Sequence, residues 1–179
     1  TNYILKKDKI YLPENRVGHI PDIIASLFDF KNAQCKSSEN EIINTLTNPS
    51  INCYLRIGVK NDRQSFLNAI VTAIPDLKNV DSMLEKTFEY LTLEKFMTLK
   101  NGSLRNIFKN ENNNTDNNAF NNFKEYLSDI NNIVDERLVW DLYSSESVIY
   151  DPINIVIIEM QVYNGNLTNP LWVCPVGYN

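Results

Sequence analysis

Apolar residues recur at helical spacing through the first three-quarters of the chain and collect into a strand-like run near its end. Phe66, Leu67, Ile70, Val71 and Ile74 follow the i, i+3, i+4 rhythm of one helix face. That wide stripe predicts a helix over 65–74, stopped by Pro75, and marks it as the candidate for the central, most buried helix. Ile23, Ile24, Leu27 and Phe28, behind Pro21 and Asp22, predict a helix over 21–30, and 38–46 is a shorter candidate. Further helical patterns follow Asp81 (Met83, Leu84, Phe88, Leu91) and Thr92 (Leu93, Phe96, Met97, Leu99). Asn101-Gly102 interrupts the chain before Leu104, Ile107 and Phe108. Phe120, Phe123, Tyr126, Leu127 and Ile130 predict one more helix; Val134, Leu138, Val139, Trp140 and Leu142 predict the next, with Asp135 near its start.

The period changes to two, or disappears, elsewhere. Tyr3-Ile4-Leu5 and Ile10-Tyr11-Leu12 read as extended segments forming a short strand pair, and Cys53-Tyr-Leu-Arg-Ile-Gly58 alternates as a strand does. Asp62 then stands as the expected N-cap of the 65–74 helix. The β-branched run over 154–162 predicts a buried strand, Asn164-Gly165-Asn166 a hairpin turn, and 171–176 the returning strand. Residues 110–118 are almost wholly asparagine with Glu, Thr and Asp, which predicts a mobile loop with nothing to bury. The expected fold is α/β, more narrowly an α+β layered arrangement of helices around a small sheet ending in a C-terminal β-hairpin, in a single domain over 1–179.

Composition narrows the function classes. With 179 residues and 43% apolar content, one sizeable core is affordable and two would each be thin. A formal net charge of −5 argues against a general nucleic-acid binder. The local patch of Lys95, Lys100, Arg105 and Lys109 reads as a solvated helix face, because no aromatic residue is regularly interleaved with it. No apolar run approaches the roughly 20 residues of a membrane span, so no membrane insertion is expected.

Cys35, Cys53 and Cys174 share no ligand spacing and suggest neither a disulfide framework nor a zinc site. They fit a reducing, cytoplasmic compartment. The five scattered glycines build no phosphate-cradling loop, and paired carboxylates such as Asp135-Glu136 are ordinary on exposed helix faces. Neither a cofactor nor a metal is expected.

The segment Asp62-Arg-Gln-Ser65-Phe-Leu-Asn-Ala-Ile70 resembles the nucleophile motif of the ovarian-tumour (OTU) deubiquitinases, a papain-like family whose motif runs Asp-Gly-Asn-Cys and ends in Ala-Ile. Residue by residue, Asp62 falls on the family's Asp, Ser65 on its catalytic Cys, and Ala69-Ile70 match directly. The final Gly177-Tyr178-Asn179 resembles the family's His-Tyr-Asn ending, with Gly177 where the general base would stand. The helix ending at Ile130 with Trp140, and the strand Asn154-Ile-Val-Ile-Ile158, resemble later family elements in order. The resemblance implies a papain-like, OTU-like fold with both chemical groups degenerate. Separately, Asn15-Arg-Val-Gly-His-Ile-Pro21, Leu55-Arg-Ile-Gly58, Gln64-Ser-Phe-Leu67, Lys100-Asn-Gly-Ser-Leu104 and Trp140-Asp141 resemble segments of large proteins of nucleocytoplasmic large DNA viruses, some of them transcription factors. That likeness implies a viral module, in host-cell cytoplasm or in the virion.

A serine hydroxyl attacks only when a base takes its proton. His19 is the sole histidine, and its setting before Pro21 reads as structural. Lacking a positioned base costs about 10²–10⁴-fold in rate. The expectation is therefore a non-catalytic OTU-like interaction module of a viral protein, contacting ubiquitin or a transcription or virion component. The alternative is an OTU-type cysteine deubiquitinase in which Ser65 replaces the native Cys. In the plainest reading Ser65 is a helix N-terminal residue and Asp62 a cap.

Overall fold

In the structure, a computed structural model, residues 4–28, 54–110, 114–144 and 155–168 are described, with the backbone alone of 171–173. The predicted helix over 38–46, Gly177 and the three cysteines lie outside the described residues. The chain divides into two compact units, Thr1–Lys60 with Ile157–Val173, and Asn61–Val156 with Cys174–Asn179. Helices and small antiparallel sheets make the architecture α+β in the general sense.

The first unit is built on short strands. β1 (Val17–His19) pairs antiparallel with β2 (Leu55–Ile57), Gly18 opposite Arg56. Leu5 joins the other edge of β1 through a parallel bridge to Gly18, donating to Val17 O at 2.8 Å and accepting from His19 N at 2.9 Å. Among the described residues, the expected pairing of Ile4-Leu5 with 10–12 does not form; a turn closed by Lys9 N on Lys6 O separates them, and Leu5 finds its partner further along the chain. Gly58 continues the ladder, its N–H on Arg16 O and its carbonyl receiving Asn15 N–H, each at 2.8 Å. A Cβ at Gly58 would lie 2.1 Å from Pro13 O, so only glycine lets the backbones approach here. α1 (Asp22–Leu27) follows Pro21 and is shorter than the predicted 21–30 helix.

The terminal hairpin is present, in two pieces. β3 (Ile157–Glu159) pairs with β6 (Leu171–Val173), while β4 (Val162–Tyr163) and β5 (Asn166–Leu167) form an inner rung closed by Asn164-Gly165. Both turn residues have positive φ, 49° and 78°, the requirement of a tight two-residue hairpin turn. The strand predicted over 154–162 is broken at Met160-Gln161. It is also not buried: Val156 is 55% exposed and Val162 and Tyr163 face solvent. A β-branched run fixes extended backbone, but burial depends on what covers it.

The second unit holds the hydrophobic core. α2 (Ser65–Ala73) contributes Leu67 and Ile70 to it; Phe66, Val71 and Ile74 are only half-buried. α3 (Val80–Tyr90) begins in a reciprocal capping box, with Asn79 Oδ1 accepting from Ser82 N at 2.8 Å and Ser82 Oγ accepting from Asn79 N at 3.2 Å. α4 (Leu93–Thr98) is capped by Thr92, as its position ahead of the apolar pattern implies. A tight turn, Leu99–Gly102, with Lys100, Asn101 and Gly102 at positive φ, then leads into α5 (Leu104–Phe108).

α6 (Asp116–Ser128) is the most buried helix, with Ala119, Phe120, Phe123 and Leu127 all inside. The 65–74 helix was expected in that place. α6 wins because Phe123 and Phe96 stack at 5.3 Å, Phe96 and Phe120 at 5.4 Å, and Phe108 meets Phe123 edge-on at 5.1 Å. Such aromatic pairs add about 0.5–1.5 kcal/mol each beyond their burial. Its first turn also takes Asp116 to Asn118 out of the loop predicted over 110–118, because the Thr115 hydroxyl caps it by accepting Asn118 N–H at 3.3 Å. α7 (Glu136–Ser144) closes the unit, burying Val139, Leu142 and Tyr143, with Asp135 Oδ1 accepting Leu138 N–H at 3.1 Å at its start.

Candidate functional site

Ser65 opens α2 at the end of a tight turn that starts at Asp62. Its hydroxyl donates to Asp62 O at 2.6 Å and accepts from Asp62 N at 2.8 Å. Both roles of the oxygen are thus occupied by the backbone three residues earlier. The Asp62 carboxylate turns inward on the same loop. Its Oδ1 receives Gln64 N–H at 2.8 Å and the Asn68 amide at 3.1 Å. Asp62 is therefore the organiser of a side-chain-capped turn, while the residue flanking the helix in the N-cap place is Gln64. A carboxylate held this way orients a loop; it does not accept a proton from the serine.

Gln64 was not singled out by sequence, yet it fixes the site. Its side chain is buried, and Nε2 donates to Leu127 O at 3.2 Å, joining the start of α2 to the end of α6. One residue earlier, Arg63 O accepts Val134 N–H at 2.9 Å. Residues 62–64 are thereby tied to the loop between α6 and α7. Nothing in a lone glutamine between Arg and Ser announces such a bond; only the arrival of α6 creates it.

His19 stands on β1, where its N–H donates to Leu5 O and its carbonyl accepts from the Arg56 side chain. Partial burial lowers its imidazole pKa below the ordinary value, favouring the neutral ring. Among the described residues, every hydrogen bond of the Ser65 hydroxyl runs to Asp62, and none to an imidazole or carboxylate. Of the three expected site residues, the structure thus joins Asp62 to Ser65. Gly177 lies outside the described residues.

Asn15 to Pro21 runs beside Leu55 to Gly58, and Arg56 reaches across with its guanidinium. Nε donates to His19 O at 2.9 Å, Nη1 to Ile10 O at 2.7 Å, and Nη2 to Lys9 O. A planar fork satisfies three carbonyls that a lysine could not reach together. Likewise Lys100 and Asp141, forty-one positions apart, join when the Asp141 carboxylate accepts the Lys100 backbone N–H.

The basic patch considered for nucleic acid is partly neutralised. Lys109 Nζ and Arg105 Nη1 approach Asp116 Oδ1 at 3.3 and 4.0 Å. Neither contact has hydrogen-bond geometry, so they act as loose ion pairs on a half-exposed surface. Among the described residues, no group of three or more His, Cys, Asp or Glu side chains could hold a metal ion. No helix of the described residues is long and apolar enough to cross a membrane. No family model, curated protein or solved structure matches this chain.

Proposed function

We propose that this chain is a non-catalytic protein-interaction module of a larger viral protein, OTU-like and papain-like in architecture, with Ser65 and Gly177 at the positions of the lost nucleophile and base. The OTU-like architecture rests on the residues from Asp62 to Ile70, and the viral context on the paired segments around Arg56 and Asp141. The observation that carries the loss of catalysis is the double hydrogen bond between the Ser65 hydroxyl and the Asp62 backbone. In that arrangement the hydroxyl proton points at a backbone carbonyl, which accepts a hydrogen bond but is too weak a base to take the proton.

The contact role is supported by the loop between α6 and α7. Asp129 Oδ1 accepts Asn131 N–H at 2.9 Å, Asn132 Nδ2 donates to Tyr126 O at 3.1 Å, and the Tyr126 hydroxyl donates to Ile133 O at 2.9 Å. This pinned loop holds Ile130 and Ile133 in solvent, 71% and 58% exposed. Ordering a loop before it binds lowers the entropy lost on association, so a rigid apolar pair beside the Ser65 turn suits a protein contact.

Ubiquitin chains, and a ubiquitin probe bearing a C-terminal electrophile, test the chemistry. Neither cleavage nor labelling is expected. Turnover that disappears in Ser65→Ala would overturn the reading and restore the serine as a nucleophile. Chemical-shift mapping with monoubiquitin tests the contact: shifts centred on Ile130 and Ile133 support ubiquitin as the partner, and unchanged spectra remove it.

A further inference from the structure

The chain contains two Asn-Gly pairs, Asn101-Gly102 and Asn164-Gly165, and all four residues have left-handed backbone conformations. Asparagine before glycine is the sequence at which a backbone nitrogen most readily attacks a side-chain amide, since glycine places no Cβ in the way. We propose that Asn164 is a site of spontaneous deamidation in the folded protein, and that the Asp141 anchor protects Asn101 from the same reaction. The proposal is independent of the partner and of the chemistry at Ser65.

The reaction needs only water. The Gly165 nitrogen attacks Asn164 Cγ, a C–N bond forms, and the side-chain nitrogen leaves as ammonia carrying the proton lost by the attacking amide. Water then opens the five-membered imide at either carbonyl, leaving aspartate or isoaspartate. No electron is transferred, so neither an oxidant nor a reductant enters the balance.

To bring the glycine nitrogen onto Cγ, the backbone must rotate out of the left-handed well about the bond between the asparagine Cα and its carbonyl. The two sites differ in what resists that rotation. Around Gly165 there is nothing within 4 Å of the place a Cβ would occupy, and both turn residues are exposed. Among the described residues, the tip is held by the inner rung, Tyr163 opposite Asn166 and Val162 opposite Leu167, and below it by Thr168, whose N–H and hydroxyl donate to Gln161 O at 2.8 and 3.1 Å. A two-residue rung at a hairpin end opens at little cost.

Asn101 (φ 52°, ψ 38°) is gripped on both sides. The preceding Lys100 N–H is held by the Asp141 carboxylate, and the Lys100 carbonyl accepts both Ser103 N–H at 3.0 Å and the Ser103 hydroxyl at 2.7 Å. The Met97 carbonyl lies 3.4 Å from where a Gly102 Cβ would sit. Rotation at Asn101 works against the hydrogen bonds that hold Lys100 to Asp141 and to Ser103.

Isoaspartate at 164 would insert a backbone carbon and a negative charge into a turn that tolerates only two residues. The register of β4 with β5 would then be lost.

The test is timed incubation of the folded chain at mildly alkaline pH, followed by peptide mass spectrometry and isoaspartate detection. Conversion at Asn164 is expected several-fold faster than at Asn101 in the native protein, with the two rates converging in denaturant. Gly165→Ala should slow conversion at Asn164. Asp141→Ala should raise conversion at Asn101 while leaving Asn164 unchanged. Equal or faster conversion at Asn101 in the native protein overturns the proposal, as does a rate at Asn101 that Asp141→Ala leaves unmoved.

Discussion

The Asp141 carboxylate on α7 receives the backbone N–H of Lys100, and this bond steadies a turn whose first left-handed residue, Lys100, does not favour that conformation. Lys100 and Asn101 both sit in the left-handed region, at φ 51° and 52°, ahead of Gly102 at 81°. Each non-glycine residue there costs roughly 1–2 kcal/mol. A charged acceptor on a backbone donor contributes about 1.5–3 kcal/mol, enough to offset much of that strain. Removing it by Asp141→Ala is expected to lower unfolding free energy by about that amount, read by urea denaturation. A change within a few tenths of a kcal/mol would show that the turn is held by other contacts.

Gly58 makes a second strong demand. A methyl at that position would meet Pro13 O at 2.1 Å and Leu12 O at 2.8 Å, both backbone atoms that cannot swing away. Gly58→Ala should therefore destabilise the chain by on the order of 1–3 kcal/mol. Gly18→Ala is the control. Its closest neighbours are Leu12 side-chain carbons, at 2.8 and 3.1 Å, which can turn aside. Thermal melts giving equal losses for the two variants would refute the distinction.

Tyr143 is completely buried, and among the described residues its hydroxyl has no partner of hydrogen-bond geometry. Thr87 faces it, but the Thr87 hydroxyl gives its proton to Met83 O at 2.8 Å, so the phenol gains at most an oblique contact. Burial pushes the phenol pKa well above its ordinary value of 10.0, with Thr87 opposing weakly. Because the folded value is raised, the associated stability is present below pH 10 and is lost as pH rises beyond it. Tyr143→Phe should leave stability unchanged or improve it by up to about 1 kcal/mol, and flatten the alkaline loss. A large loss of stability on this change would reveal a real hydrogen bond.

His19 gives a cleaner titration, being the only histidine. Burial lowers its pKa below the ordinary 6.5, so the neutral ring is the form the fold prefers. The unfolded chain then binds the proton more readily, and the contribution present above pH 6.5 is lost as pH falls through the window beneath it. The imidazole Cε1–H resonance of His19 should titrate below 6.5, and His19→Gln should remove that part of the pH dependence. A midpoint at or above 6.5 would contradict the burial seen at β1.

Much of the helical unit was readable without coordinates. Apolar spacing around Met83, Phe96, Phe123 and Val139 located four helices, Thr92 and Asp135 sit where their hydroxyl and carboxylate can satisfy early N–H groups, and Asn164-Gly165 set the hairpin turn. These are local facts: periodicity and capping act within one or two turns of chain, so the residues involved are neighbours in sequence. The pairing of Asp62 with Ser65 is equally local, spanning three residues.

What sequence could not supply was any choice that depends on a distant partner. Phe120 and Phe123 make α6 the core helix because Phe96 and Phe108 arrive beside them, while the equally apolar stripe of α2 keeps one side half-exposed. The β-branched run after Ile155 is at most half-buried, with Val156 and Val162 exposed, and Leu5 pairs with β1 in place of the segment after it. Gln64 meets Leu127, Arg56 gathers the carbonyls of Lys9, Ile10 and His19, and Asp141 finds Lys100. Burial and long-range hydrogen bonds are properties of pairs brought together by packing, and one strand of letters records each member without recording its mate.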